Sequence, residues 1–531
     1  MRLIRILALS AWIALAVSPS AADGIGKVKN SVPNANQRVG HPANVISNGF
    51  VLQEIARGTD PLENPSGVIT RFGLLNDFPP QPIEATRTEP DENLYLILPE
   101  NPGGPTPGFD YGRHFLFQGH ENRNNLAYIT RINLDVTDSA HRITLLTPVG
   151  ADGLTHLNSI DGSTFDPFTG TLLFTQETGS PAGGVIQLSL SWPPVVQRLD
   201  GIIGSAGYEG IHPDDRGNLI IEEDSGGISV NVIPGDATSP KAARQPNSFV
   251  FRFVPYDISD LSQGGKLQAI QVSVDGQPLV FHAADPSGDV FAVAQKELHT
   301  PGSSFPFTWI TVHDTAVDGT APFNANATAK AAGATPFKRP ENGQFLPGSK
   351  FRTFFFDPTG DTNSDSGNQP ELAARGAWGS IFRVDQNQSR TGGFISIAVL
   401  GDAQHSSFDN LTFGDSTTLL AAEDRGDGLH KQLNRLDSVW AFSLKGGNPK
   451  RFIALGRDAS SEADAAFLDA ATPGFQNDGD NEPTGLHVSS GGSTADDLQG
   501  QKDNLDNTRG FVTQQHGENV VYEIVRVEDE Q

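Results

Sequence analysis

The chain reads as an all-β protein, and within that class as a six-bladed β-propeller with long insertions between its strands. Three observations point there. The apolar runs are short, rich in β-branched and aromatic residues, and bounded by Gly, Asn, Asp and Pro, with 57 Gly and 36 Pro in 531 residues. These runs form antiparallel units recurring about every 50 to 90 residues, too many for one sandwich, which is the spacing of radial repetition. Five runs end on a carboxylate, most of them preceded by a second polar cluster about a dozen residues upstream, so a toroidal fold would gather those acids at one axial opening. Two stacked sandwiches are the competing architecture.

In chain order, the first element is a leader. Met1 to Arg5 is basic, Ile6 to Val17 is apolar, and Ser20-Ala21-Ala22 precedes Asp23, which predicts a secretory signal over 1–22 and a single domain over 23–531. Leu3 and Ile4 separate the two arginines, so the signal is of Sec rather than twin-arginine type, and the mature protein is expected in the periplasm or outside the cell. The leader's apolar stretch falls short of the ~20 residues a bilayer span needs, and no later run approaches that length.

Strands follow at Leu94 to Leu98 and from Arg113 to His120-Glu121, where the first acid-ended run stops. The second runs from Asp161-Gly-Ser-Thr to Glu177, followed by Gly184 to Leu190. Next come Glu209-Gly-Ile and Leu219 to Glu222-Glu223-Asp224, then Ser248 to Val254. The tract 317–349, rich in Gly, Ala, Asn and Asp, reads as an insertion at a loop face, as does 456–510. Arg339-Pro-Glu341 leads into Phe351 to Asp357, and Ser380 to Val384 follows. Asp409-Asn410 pairs with the run ending Glu423-Asp424, and Ser438 to Ser443 follows. Glu462 to Ala471 is the best helix, and Asp478-Gly-Asp480-Asn-Glu482 the next acidic cluster. The last blade ends in Phe511 to His516, then Glu518 and Asn519 to Val525.

The formal charge is −26, more negative once Arg2 and Arg5 leave, which excludes nucleic acid and anionic membrane as partners because both need a basic face. No cysteine is present, so disulfides, thiolate ligands and thiol nucleophiles are excluded together. Oxygen-rich clusters without thiolate suit hard ions, calcium, magnesium or manganese, and acids converging on one opening repel unless a cation neutralises them.

Arg339 is an arginine among acids. It offers bidentate donors to a phosphate or carboxylate substrate, or else forms a salt bridge to Glu341. Cations plus one arginine form the electrostatic kit of phosphoryl transfer. Asp361, Asn363 and Asp365 alternate like a calcium loop, although the Gly comes one place late and Leu372 stands where the closing Glu belongs. His156, His212, His313 and His405 are scattered and read as structural hydrogen-bonders. His120-Glu121 is not completed to HExxH, and there is no P-loop, GxSxG elbow or Rossmann fingerprint.

At these residues the chain resembles the PhoX-type alkaline phosphatases, a family of exported bacterial proteins. The matching pieces, in order, are Phe72 to Phe78, Phe117-Gln-Gly-His-Glu121, Asp161-Gly-Ser-Thr to Glu177, Tyr208-Glu-Gly210, Glu223-Asp224, and Phe249 to Pro255 running into Asp260 to Leu267. They continue with Arg339-Pro-Glu-Asn342, Phe408-Asp-Asn-Leu411, Glu423-Asp424, Glu482-Pro-Thr-Gly485 and Gln514-Gln-His-Gly517. The resemblance implies a six-bladed propeller with calcium and iron at the axial opening, hydrolysing phosphate esters. Carried over by motif, metal ligation falls on Glu121, Glu177, Glu209, Glu341, Asp409 and Glu482. Arg339 becomes the phosphate clamp, with Glu341 beside it in the catalytic pair. His120, Asp224, Asn410, Glu423, Asp424 and His516 form a supporting set.

The chain departs from the family in two places. Family members hold an iron pair partly through a cysteine near the second blade, where Asp161-Gly-Ser163 offers oxygen instead, and they carry twin-arginine leaders. Both departures point from iron to calcium. The expectation is a secreted, monomeric, calcium-dependent phosphatase acting on a small phosphorylated substrate. A non-catalytic calcium-binding propeller, or a lactonase-like hydrolase on the same scaffold, is the alternative.

Overall fold

The computed structural model describes residues 25–33, 44–73, 89–433, 435–456, 482–499, 508–516 and 518–527. The signal peptide, the 462–471 helix and residues 478–481 lie outside them. Six inner strands, Glu89–Ile97, Ile160–Asp166, Tyr208–Pro213, Pro340–Phe345, Phe408–Asp415 and Pro483–Ser489, pack each against the next, and the sixth returns to the first, closing a ring. Each turns back through an antiparallel hairpin into a second strand farther from the axis: His114–Glu121, Thr171–Gln176, Leu219–Glu223, Thr353–Pro358, Thr418–Glu423 and Arg509–Gln514. Third and fourth strands complete each set outward. This is an all-β propeller, and among the described residues no helix exceeds eight residues.

Two features lock the ring. Phe50–Ala56, from near the start of the chain, pairs with Val521–Arg526 from its end, so the sixth sheet contains both ends and resists unzipping. Ser304–Asp314 pairs with Gly265–Val274 on one side and Gly392–Leu400 on the other, fusing the third and fourth sets into one ten-stranded sheet. Apolar side chains of neighbouring sheets interdigitate, as where Phe355 of the fourth set meets Phe413 of the fifth edge-on at 5.6 Å, and within the fourth set Phe356 stacks on Phe382 at 5.3 Å. Each fully buried Phe of this kind contributes roughly 1.5–3 kcal/mol.

One expectation fails. The tracts 317–349 and 456–510 are not wholly insertions: the fourth inner strand, Pro340–Phe345, lies in the first and the sixth, Pro483–Ser489, in the second. Both read Pro-Glu-Asn-Gly-Gln-Phe or Pro-Thr-Gly-Leu-His-Val, with polar and Gly positions where an edge-free strand usually alternates. The ring supplies the burial that local sequence does not signal.

Candidate metal centre

The acids reach the axis through a repeated backbone device. In all six hairpins the pairing of inner and second strand slips just after the inner strand begins: between Pro90 and Asn93, Ile160 and Ser163, Tyr208 and Ile211, Pro340 and Gly343, Phe408 and Leu411, and Thr484 and His487. A bulge re-aims a side chain that regular alternation would bury in the sheet. The bulges carry Asp91, Asp161, Glu209, Glu341 and Asp409; only the sixth, at Gly485-Leu486, lacks an acid. Opposite each bulge the second strand ends, bringing Glu121, Glu177, Asp224 and Asp424 to the same mouth. Close approach demands glycine at Gly162, where a Cβ would sit 2.1 Å from the Glu209 carbonyl oxygen.

Carboxylate oxygens of Asp91, Glu121 and Asp161 lie within 4.8 Å of one another; so do those of Asp161, Glu177 and Glu209, and those of Glu209, Asp224 and Glu341. Asp161 and Glu209 each belong to two triads. Seven carboxylates thus form one continuous arc.

Burial raises their pKa values, and neighbouring acids add to it. Asp91 and Glu177 are each pushed up to about 7 by burial. Glu121 is raised by burial and by Glu177 and Asp161, Glu209 by burial and by Asp161, and Glu341 by burial and by Asp224. Burial and then Asp91 raise both Asp161 and Asp409. Oxygens of neighbouring acids in each triad lie within 4.8 Å, a proximity carboxyls sustain only with protons or a cation among them. Glu121 Oε1 and Asp409 Oδ2 are buried without a hydrogen-bond partner. An all-oxygen donor set with buried orphan oxygens fits a hard divalent cation of the calcium type, and Asp161 puts oxygen where a thiolate ligand would favour a softer metal.

Arg339 sits among these acids with φ 58°, in the left-handed region, which turns its side chain toward the third hairpin. Its Nε donates to both Asp224 oxygens at 2.8 Å and its Nη2 to Oδ2 at 2.6 Å, while Glu341 Oε1 is 3.6 Å away. Its principal partner is therefore Asp224, not Glu341. The guanidinium spends its bidentate face inside the protein.

The other candidates divide. Asn410 donates to Asp409 at 3.2 Å and accepts from the Thr484 hydroxyl and Leu486 N–H, and Asp424 accepts from Gly426 N–H at 2.7 Å beside the ring. Glu482 and His516 approach each other at 3.5 Å on the sixth hairpin, outside the triads. His120 is turned away: strand alternation points it opposite to Glu121, into the sheet, where it stacks on Tyr128 at 4.2 Å and meets the Thr130 hydroxyl at 2.9 Å. Glu423 also faces inward and is buried against Arg425.

The calcium-loop reading of Asp361, Asn363 and Asp365 meets a different arrangement. Asp361 binds Lys338 Nζ at 2.7 Å and accepts from Arg244 N–H and the Ser366 hydroxyl, so its charge is already neutralised; Asn363 caps the short helix Ser364–Gly367, accepting from Asp365 N–H at 2.8 Å.

Asp91 is the residue that escapes from the sequence. It opens its strand inside Glu89-Pro-Asp-Glu92 instead of ending one, and the informative signal is an acid within the first residues of each inner strand. Asp91 accepts from the Thr484 hydroxyl and from Gln515 Nε2 at 2.8 Å. One layer down the axis a cavity of about 30 Å³ is lined by Glu92, His212, Asn342, Asn410 and His487. Burial pushes Glu92 up to about 8, His212 down to about 3 and His487 down to about 4, so this second layer is built to be uncharged.

Fold and site together define an all-β propeller with a carboxylate-lined axial mouth whose acids are placed to hold cations. The family model described as "Alkaline phosphatase PhoX" matches residues 241–494 of the chain. Among solved structures, PhoX of Pseudomonas fluorescens in complex with vanadate, a transition state analogue, aligns over 94% of this chain and 97% of that one at 13% identity, with a TM-score of 0.52. A calcium structure of Trichoderma reesei carbohydrate-active enzyme family AA12 aligns over 73% of this chain and 96% of that one at 12% identity, TM-score 0.26. A search of curated proteins returns no match.

Proposed function

We propose that this protein is a metal-dependent phosphatase that hydrolyses phosphate esters at the axial mouth, with calcium as the working cation, acting as a monomer outside the cytoplasm. The observation that carries the reading is the arc of three overlapping carboxylate triads with an arginine fixed among them, in a propeller whose family model is that of an alkaline phosphatase.

Asp91, Glu121, Asp161, Glu177, Glu209, Asp224 and Glu341 would hold the cations; what bound cations supply is charge neutralisation of the ester oxygens and activation of a water. The chain's own groups do the rest. Thr484 and Gln515 fix Asp91, and Arg339 fixes Asp224. The closed ring of inner strands walls the site from the side, so charges at the mouth interact more strongly than in open water. Because cation binding must displace protons from acids with raised pKa values, an alkaline optimum follows. A second reading, a cation-binding propeller without phosphatase activity, draws its support from Arg339, whose guanidinium is already engaged by Asp224.

Purified protein should hydrolyse a simple aryl phosphate at alkaline pH, lose that activity to a chelator and regain it with calcium. No hydrolysis after reconstitution with calcium, manganese and iron would overturn the proposal.

A further inference from the structure

We propose that Arg244 is the substrate-facing cation of this site, contacting the phosphate group directly, while Arg339 is a positioning residue that holds Asp224. This rests on the phosphate-ester reading above, and it answers the difficulty that reading leaves: the arginine in the acidic motif has its bidentate face occupied.

Arg244 ends a small hairpin, Ser229–Asn231 with Lys241–Arg244, inserted between the second and third strands of the third set. Both of its ends are located. Its backbone N–H donates to Asp361 Oδ1 at 3.1 Å, and the same oxygen binds Lys338, the residue before Arg339. At the far end of the side chain, a Cβ added to Gly226 would lie 3.3 Å from Arg244 Nη1, and Gly226 is two residues beyond Asp224. The side chain therefore runs from the Lys338-Arg339 turn to the Asp224 turn, alongside the Asp224–Arg339 pair. Its charge interacts with Arg339, Asp224, Asp361 and Glu341.

The two arginines differ in what they have left to offer. Arg339 makes three contacts to one carboxylate. The Arg244 guanidinium is half-buried and makes no hydrogen bond or ion pair among the described residues. Its charge is balanced by neighbouring acids while its hydrogen-bond donors are unspent, and a phosphate monoester, with three non-bridging oxygens, suits such a planar fork of donors. Asp361 then has a use other than calcium: it fixes the backbone from which this arginine reaches the mouth.

The test compares calcium-loaded wild type with Arg244→Gln and Arg244→Lys. The first measurement is aryl phosphate hydrolysis, and the second is calorimetric binding of inorganic phosphate, with bound metal and melting temperature as controls. Charge-assisted hydrogen bonds of this kind predict a rise in KM and in the phosphate dissociation constant of about ten- to a hundredfold in the glutamine variant. Metal content and melting temperature should be unchanged, and the lysine variant should recover part of the loss. Turnover with KM and phosphate affinity equal to wild type would overturn the role of Arg244 while leaving the phosphatase reading standing. Phosphate binding that depends on Arg244 without any turnover would do the reverse. Wild type that neither binds phosphate nor hydrolyses the ester would overturn both.

Discussion

The two sides of the axial mouth share one backbone design and differ in chemistry. On the side built by the first four hairpins, bulges and strand ends present seven carboxylates in overlapping triads. On the side built by the fifth and sixth, the same bulges present Asp409-Asn410 and Gly485-Leu486, and the sixth second strand ends in Gln514-Gln515-His516. The bulge is thus an aiming device, and the residue it carries decides whether a position holds charge. The sixth hairpin is not idle. Thr484 and Gln515 donate to Asp91 across the ring seam, so the sixth hairpin supplies hydrogen bonds that orient an acid of the arc.

The contrast is most sharply tested at the shared acids. Asp161→Asn or Glu209→Gln removes a ligand from two triads at once, and since a cation at the reacting centre contributes several kcal/mol, kcat/KM should fall about a thousandfold with loss of bound metal. Asp409→Asn changes an equally buried acid outside the triads and should cost less than about tenfold. Equal losses at Asp409 and Asp161, by steady-state kinetics and metal analysis, would erase the distinction between the two sides.

A smaller effect is expected from the sixth hairpin itself. Thr484→Val keeps shape but removes the hydroxyl donor to Asp91, and outer-layer partners of ligands are typically worth about 10- to 100-fold in metal affinity. Calcium titration should show that weakening with the fold intact. An unchanged calcium affinity would mean the sixth hairpin closes the ring and does nothing for the site.

Sequence carried the all-β propeller class because turn residues and short apolar runs are local signals, and it carried most acids of the arc because second strands end on them. Two kinds of information were not local. Whether an acid faces the axis or the sheet depends on strand alternation and on the bulge. Glu121 and His120 therefore part company although adjacent, and Glu423 disappears against Arg425 while Asp424 stays near the ring. Partner choice for Arg339 was equally hidden: Glu341 is its near neighbour in sequence, but the positive φ at Arg339 turns it to Asp224, 115 residues away. The polar inner strands at Pro340 and Pro483 read as insertions because they lack an apolar face of their own.

The least dramatic test separates the acid arc from the buried histidines by pH. Without cation, Asp91 and Glu177 keep their protons to about pH 7 in the folded protein, whereas the unfolded chain releases them near pH 4. Between those values the folded state binds more protons, so stability falls as pH rises from about 4 to about 7 and stays low above. Buried histidines away from the arc act oppositely. His299, packed on Phe382, and His487 in the second layer are depressed to about 4, so the unfolded chain takes up protons first, and stability falls as pH drops from about 6.5 to about 4. With two groups of each kind the opposed slopes offset each other between about pH 4 and 6.5, so chelated protein should melt at a nearly constant temperature there and at a lower one above about pH 7. Calcium replaces protons on the arc but has no place on those imidazoles, so scanning calorimetry should show melting raised by several degrees above about pH 7 and unmoved near pH 4. A calcium effect equal at both ends of that range would mean that the cation sits somewhere other than the acid arc.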